Sequence, residues 1–311
     1  MAGIDINRTT SGVVLPPEIS SEIWANMIEA SAVQQLARRI DLPGPGVTIP
    51  IITGDPEADW VAETDHKPVS RPSFSSKDLT PYTLAVIVPF SNQFRRDLNA
   101  LYSECVRRLP GALAKKFDQT VFASSGAPGL NFAQLGGATA VALTPHASDV
   151  KKNTYSGLVE AYTTVANNGA ELDGWALSSQ AKGLLLGQVD TTGRPLLLES
   201  IQNGSSVPQL LGERVAYSRG AYTAGSPNTI GFAGDWSTAV WGAVEGVTIS
   251  FSDGAIEDGT IEVEVGEEKA EIPNVISLWG RNMFAVRAEI EIGFQVRDTG
   301  NFVRLTDATR S

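Results

Sequence analysis

Apolar positions along the chain change their period several times, and each change marks an element. Ile19, Ile23, Met27 and Ala30 recur at helical spacing behind Pro17, whose fixed φ suits a first turn, so a short amphipathic helix is predicted from Glu18. Pro43-Gly44-Pro45-Gly46 then predicts a sharp turn, and the β-branched run Val47 to Ile52 a strand. A second strand reads from Tyr82 to Phe90. Between the two strands, residues 53–81 are polar, hold Pro56, Pro68, Pro72 and Pro81, and carry Trp60 and Phe74 as their large apolar anchors. Structureless loops of this length are uncommon in compact domains. Residues 47–90 are therefore expected to form a long two-stranded hairpin. A hairpin alone in water is marginal, so it needs another surface, and a further copy of the chain would supply one. Residues 1–16 lack periodicity and read as an extended arm ordered by a partner.

The longest helix is expected after Ser91, a candidate cap. Leu98, Leu101, Tyr102, Cys105, Leu109, Leu113, Phe117 and Val121 fall on one stripe of it. Pro110 lies inside that stripe without shifting its phase, which predicts a bend rather than a break, and Gly126, Pro128 and Gly129 mark the end. Between 148 and 235 helices and strands alternate. Tyr155 to Asn167 and Gln180 to Gln188 read as helices, and Trp175 to Leu177, Glu213 to Tyr217 and Thr229 to Ala233 as strands. After Trp241 the pattern turns to strands: Val247 to Phe251, Ile261 to Val265 with strict Glu/apolar alternation, Met283 to Val296, and Phe302 to Leu305. The class is α+β, without an internal repeat.

Charge adds a polarity to this picture. The net charge of -11 opposes a dedicated nucleic-acid binder, because a negative field repels phosphate. From Asp253 to Glu271 eight carboxylates face Lys269 alone, whereas Arg95 to Lys116 holds six basic residues and two acids. The charged fraction of 19% is below the roughly 25% of ordinary soluble domains, which burial between subunits would produce and chance would equally. A solvated strand face is the plainer account of the acidic run, and an exposed helix face that of the basic one. Against these, the acids could hold calcium, and Arg107, Arg108, Lys115 and Lys116 could face packaged nucleic acid.

Catalytic chemistry finds no foothold. The two histidines, His66 and His146, have no second ligand at metal-site spacing, the lone Cys105 excludes an intrachain disulfide framework, and neither a G-x-S-x-G elbow nor a phosphate-binding glycine loop occurs. No enzyme, cofactor or metal is expected. The N-terminus lacks a hydrophobic signal core, and no apolar run reaches membrane-spanning length, so no membrane partner is expected.

Several short stretches, in one order, resemble the major capsid protein of tailed bacteriophages, the Hong Kong 97 type of fold. They are Leu15-Pro16-Pro17-Glu18-Ile19, Val47 to Ile52, Ala58-Asp59-Trp60-Val61-Ala62-Glu63, and Leu84 to Val88 leading to Pro89-Phe90-Ser91. The long helix, Leu210-Leu211-Gly212-Glu213-Arg214-Val215, Gly231-Phe232-Ala233-Gly234-Asp235-Trp236-Ser237 and Asn282-Met283-Phe284-Ala285-Val286-Arg287-Ala288-Glu289 complete the series. No one stretch is specific; their collinearity from about Val13 to Leu305 carries the likeness. It implies an N-terminal arm and short helix (1–46), an extended β-hairpin loop (47–90), a peripheral domain with a long spine helix (91–137 and 251–311) and an α/β axial domain (138–250).

The same resemblance implies a virion protein assembled in the host bacterial cytoplasm, whose hexamers and pentamers tile an icosahedral shell around DNA. Its implied partners are copies of itself, packaged DNA by nonspecific contact, a portal, and a separate scaffold or decoration protein. Trp60, Phe74, Lys67 and Pro68 are the candidate assembly-interface residues, though Trp60 and Phe74 could equally pack within their own hairpin. An isopeptide bond from Lys67 or Lys77 to Asn301, as in some relatives, is conceivable, but lysines in polar loops are usually solvated. An encapsulin-like bacterial compartment shares the fold and stays open as the alternative at this stage.

Overall fold

The computed structural model describes residues 17–54, 60–61, 73–93, 98–146, 153–187, 209–265 and 268–310. Helix α1 (Pro17–Ala30) starts at the predicted proline and buries Ile23 and Met27. Ser31 then caps α2 (Ala32–Leu36), its hydroxyl accepting from the Gln34 N–H. Strand β1 (Arg38–Asp41) leads through the predicted turn into β2 (Val47–Gly54). Gly46 there has φ +92, and a Cβ on it would come within 2.6 Å of the Leu79 carbonyl oxygen, so the turn needs glycine.

The chain returns as β3 (Ser73–Leu79), and β4 (Tyr82–Ser91) follows. This corrects the expected pairing. Strand β2 pairs antiparallel with β3, from Val47 opposite Leu79 to Gly54 opposite Ser73, whereas β4 pairs with β14 (Met283–Val296). The sequence Ser-Phe-Ser-Ser-Lys-Asp-Leu shows no strand pattern because its stability in the hairpin comes from backbone ladder bonds rather than an apolar face. Ser91 is also corrected: it ends β4, and its hydroxyl accepts from the Gln93 N–H instead of capping the long helix. That helix, α3 (Leu98–Phe122), is continuous across Pro110.

Next come β5 (Thr139–Thr144), α4 (Thr154–Asn167), β6 (Gly174–Leu177), α5 (Ser179–Leu186), β7 (Gln209–Leu210), β8 (Glu213–Tyr217), β9 (Thr229–Gly234) and β10 (Ala239–Ala243). The chain ends with β11 (Thr248–Ser252), β12 (Ala255–Val265), β13 (Glu268–Ser277), β14 and β15 (Phe302–Thr309). By contacts it forms two compact units. The first comprises the described residues of Met1–Met27, Thr83–Leu113 and Glu245–Ile290, and the second those of Ile28–Tyr82, Ala114–Val244 and Glu291–Ser311.

In the first unit β11 pairs with β14 from Thr248 opposite Glu289 to Ser252 opposite Ala285. Phe284 is fully buried between Phe90, stacked at 5.9 Å, and Phe251 at 6.3 Å. Strands β12 and β13 form an antiparallel hairpin closed at its base by the Leu278 N–H on the Gly254 carbonyl, 2.9 Å.

The second unit is built on a six-stranded sheet in the order β5-β15-β9-β6-β8-β7. Alternation along β6 sends Trp175 and Leu177 into an apolar core with Leu158 and Val165 of α4 and Leu185 of α5. Phe232 of β9 instead stacks on Phe122 of α3 at 4.6 Å and 12°. Two of the three fully buried indoles donate to backbone carbonyls: Trp175 Nε1 to that of Leu210 at 3.1 Å, and Trp236 Nε1 to that of Gly174 at 3.0 Å. Strand β15 lies between β5 and β9, so the last strand joins the sheet of the 138–250 segment rather than the β-rich stretch it follows.

Candidate assembly surface

The β2–β3 hairpin is held at one end. Leu79 is fully buried, and Lys77 Nζ donates to the carbonyls of Val296 at 2.9 Å and Arg297 at 3.0 Å. Gln295 Nε2 reaches the Asp78 carbonyl at 3.3 Å, and Thr48 Oγ1 bonds Asp78 Oδ1 at 2.7 Å across the strands. A Cβ on Gly293 would lie 2.5 Å from the Thr80 carbonyl oxygen, so the exit from β3 lies against the β14 backbone. Gly54 pairs with Ser73 at the other end of the ladder.

Of the candidate interface residues, Trp60 is 102% exposed. Phe74 stands opposite Ile52 in the register. Lys67 and Pro68 lie outside the described residues, as does His66. Lys77, considered above for a covalent bond, has its ammonium engaged within its own chain at the hairpin root.

Helix α3 buries Cys105, Leu109, Leu113, Phe117 and Val121, the second half of the predicted stripe. Arg107, Arg108, Lys115 and Lys116 are all exposed. Among the described residues no group of three or more His, Cys, Asp or Glu could hold a metal ion, and no helix is long and apolar enough to cross a membrane.

One residue of this helix was missed by sequence reasoning. Asp118, fully buried, accepts from the Ser31 hydroxyl at 2.6 Å, from the Ala32 N–H at 2.9 Å and from the Val33 N–H at 3.4 Å. Ser218 bonds the same carboxyl. The carboxylate thus gathers the first turn of α2 and the corner after β8 onto α3. Burial pushes its pKa up to about 6, against the lowering effect of these four donors. The signal was present: Asp118 stands one turn from Ala114 and from Val121, inside the buried stripe, where an unpaired acid would be costly.

A long helix buried along one stripe, a sheet flanked by helices and a hairpin whose described anchoring contacts lie at its root are the parts expected of a shell-forming subunit. The chain belongs to the phage capsid family, whose model matches residues 11–307. Relatives and structures agree. The chain is 30% identical over 305 residues to the "Probable major capsid protein gp17" of Mycobacterium phage L5, covering 96% of this chain and 91% of that one. It is 25% identical over 309 residues to the "Major capsid protein" of Klebsiella oxytoca phage phiKO2, covering 92% of this chain and 66% of the relative. Its fold resembles a solved chain of Mycobacterium phage Ogopogo (TM-score 0.65, 20% identity, 90% and 92% of the two chains). It also resembles the capsid of an empty GTA particle (TM-score 0.62, 12% identity, 99% and 95%). The protein is a major capsid protein of a tailed phage with the Hong Kong 97-like α+β fold, a component of the virion shell. These matches give the encapsulin alternative no support.

Proposed function

We propose that copies of this chain form hexamers and pentamers that close an icosahedral head around DNA, with the β2–β3 hairpin laid on a neighbouring copy. The observation that carries this reading is the hairpin itself, held at its root by the Lys77 hydrogen bonds and the buried Leu79, with the exposed Trp60 in the segment between its strands. Two strands alone bury too little to be stable, and a neighbour supplies the missing surface. In this reading Trp60, Phe74, Lys67 and Pro68 meet the adjacent subunit, and aromatic anchors dominate the contact. Arg107, Arg108, Lys115 and Lys116 face the packaged DNA and bind it nonspecifically. Residues 1–46 supply the N-terminal arm and short helix, 47–90 the extended loop, 91–137 and 251–311 the peripheral domain and 138–250 the axial domain, whose sheet β15 joins.

Head-to-tail contacts that repeat around a ring close it when the rotation permits, which is how one surface serves both rings. Assembly takes place in the host bacterial cytoplasm, and a portal with a separate scaffold or decoration protein completes the particle. Negative-stain images and size-exclusion chromatography of the purified chain test the reading. Closed shells with nuclease-protected DNA inside phage-derived particles are expected; a 33 kDa monomer under all conditions overturns it.

A further inference from the structure

The root of the hairpin borders an open cleft of about 400 Å³. Three cations line it, Arg38 of β1, Lys77 of β3 and Arg297 after β14, beside Ser237, Thr238 and Gln295, and among the described residues no carboxylate does. In a chain of net charge -11 this is a reversal of the local sign. Its neighbour shows the contrast: Arg39 points the other way from Arg38 along β1, lies 5.8 Å over the Trp241 ring and bonds Asp41 at 3.0 Å. The two carbonyls on Lys77 Nζ fix that ammonium at the cleft wall. Like charges gathered in a concavity focus a field that draws an anion, and guanidinium groups suit carboxylates in particular.

The same chain carries the complementary charge. From Asp253 to Glu271, through β12 and β13, it holds eight carboxylates against Lys269, and Glu257, Asp258 and Glu271 are exposed. The register sets Glu262 directly opposite Glu271, so the acidic residues run along both strands of the hairpin.

We propose that the cleft at the hairpin root receives carboxylates from the β12–β13 hairpin of a second copy. Each copy then offers one cationic socket and one acidic plug, a contact of the repeating head-to-tail kind. The inference rests on the shell-forming reading above and names one of its contacts.

Charge reversal across copies tests it. Arg38→Glu with Arg297→Glu, and separately Glu257→Arg with Asp258→Arg, should each raise the concentration at which shells appear by on the order of tenfold, with circular dichroism unchanged. Mixing the two charge-reversed chains in equal amounts should restore assembly, because each socket then meets an opposite plug on the other chain. Arg38→Gln, milder for folding, should weaken assembly in the same direction and flatten its dependence on salt. Wild-type yield from the Arg38→Glu and Arg297→Glu chain, or a folded mixture that stays unassembled, overturns the proposal. Shells that form normally but lack DNA would also overturn it, because the occupant would then be phosphate. The wild-type chain runs alongside: if it too forms no shells, the shell-forming reading itself fails.

Discussion

Replacing Asp118 with Asn separates the charge at the buried α3 node from its hydrogen bonds. Burial pushes the carboxyl from its ordinary 3.8 up to about 6, so the folded chain holds this proton more tightly than the unfolded chain does. The resulting stability is fully present below the unfolded value and is lost as pH rises through the folded one. At about 1.4 kcal/mol per pH unit, a window of about two units amounts to roughly 3 kcal/mol. Asn carries no charge at any pH and lacks this slope. Its amide keeps one oxygen acceptor where the carboxyl serves the Ala32 and Val33 N–H groups and the Ser31 hydroxyl, which costs about 1–3 kcal/mol at every pH. Asp118→Asn is therefore expected to be less stable than wild type near pH 4, with the gap narrowing by roughly 2.5 kcal/mol by pH 7. Urea unfolding of the unassembled subunit at four or five pH values measures it. A gap that stays constant from pH 4 to pH 7 refutes the assignment of the titration to this carboxyl.

Trp60→Ala should abolish shells while leaving the subunit melt within about 0.5 kcal/mol of wild type, since the ring is exposed in the free chain; a large loss of stability would instead make it a core residue. Arg107→Gln, Arg108→Gln, Lys115→Gln and Lys116→Gln combined should leave shell yield intact and lower encapsidated DNA, read by absorbance of nuclease-treated particles. Gly293→Ala should destabilise by about 1–3 kcal/mol, because its Cβ has 2.5 Å to the Thr80 carbonyl oxygen, seen as a lower melting temperature.

What was legible in the sequence was whatever had a clear period. Strand Met283–Val296 was read end to end because its sequence alternates apolar and charged residues from Val286 to Ile292, and α4 within one residue because its buried positions recur at helical spacing. Strand β10 was overlooked since all five of its residues are buried, which leaves no alternation to detect. Strands β3 and β13 were overlooked for the opposite reason: they lie in solvated hairpins and are written in Ser, Lys and Glu. The mispaired hairpin followed directly from the first of these. Among the candidate site residues, exposure of the four basic residues accords with their types, whereas that of Trp60 does not. The cleft was invisible because Arg38, Lys77 and Arg297 are brought together only by the fold of β1, β3 and the end of β14.

The two bonds from Lys77 to consecutive carbonyls have a mechanical consequence. They make the hairpin a lever with its fulcrum at Val296 and Arg297. Lys77 stands opposite Ile49, so the five residues from there to Gly54 extend roughly 17 Å beyond that pivot, and a tilt of about 10° swings Gly54 by about 3 Å. On the assembly reading proposed above, an adjustment too small to disturb the β14 ladder would re-aim the distal end of the hairpin, as rings of two different curvatures would require.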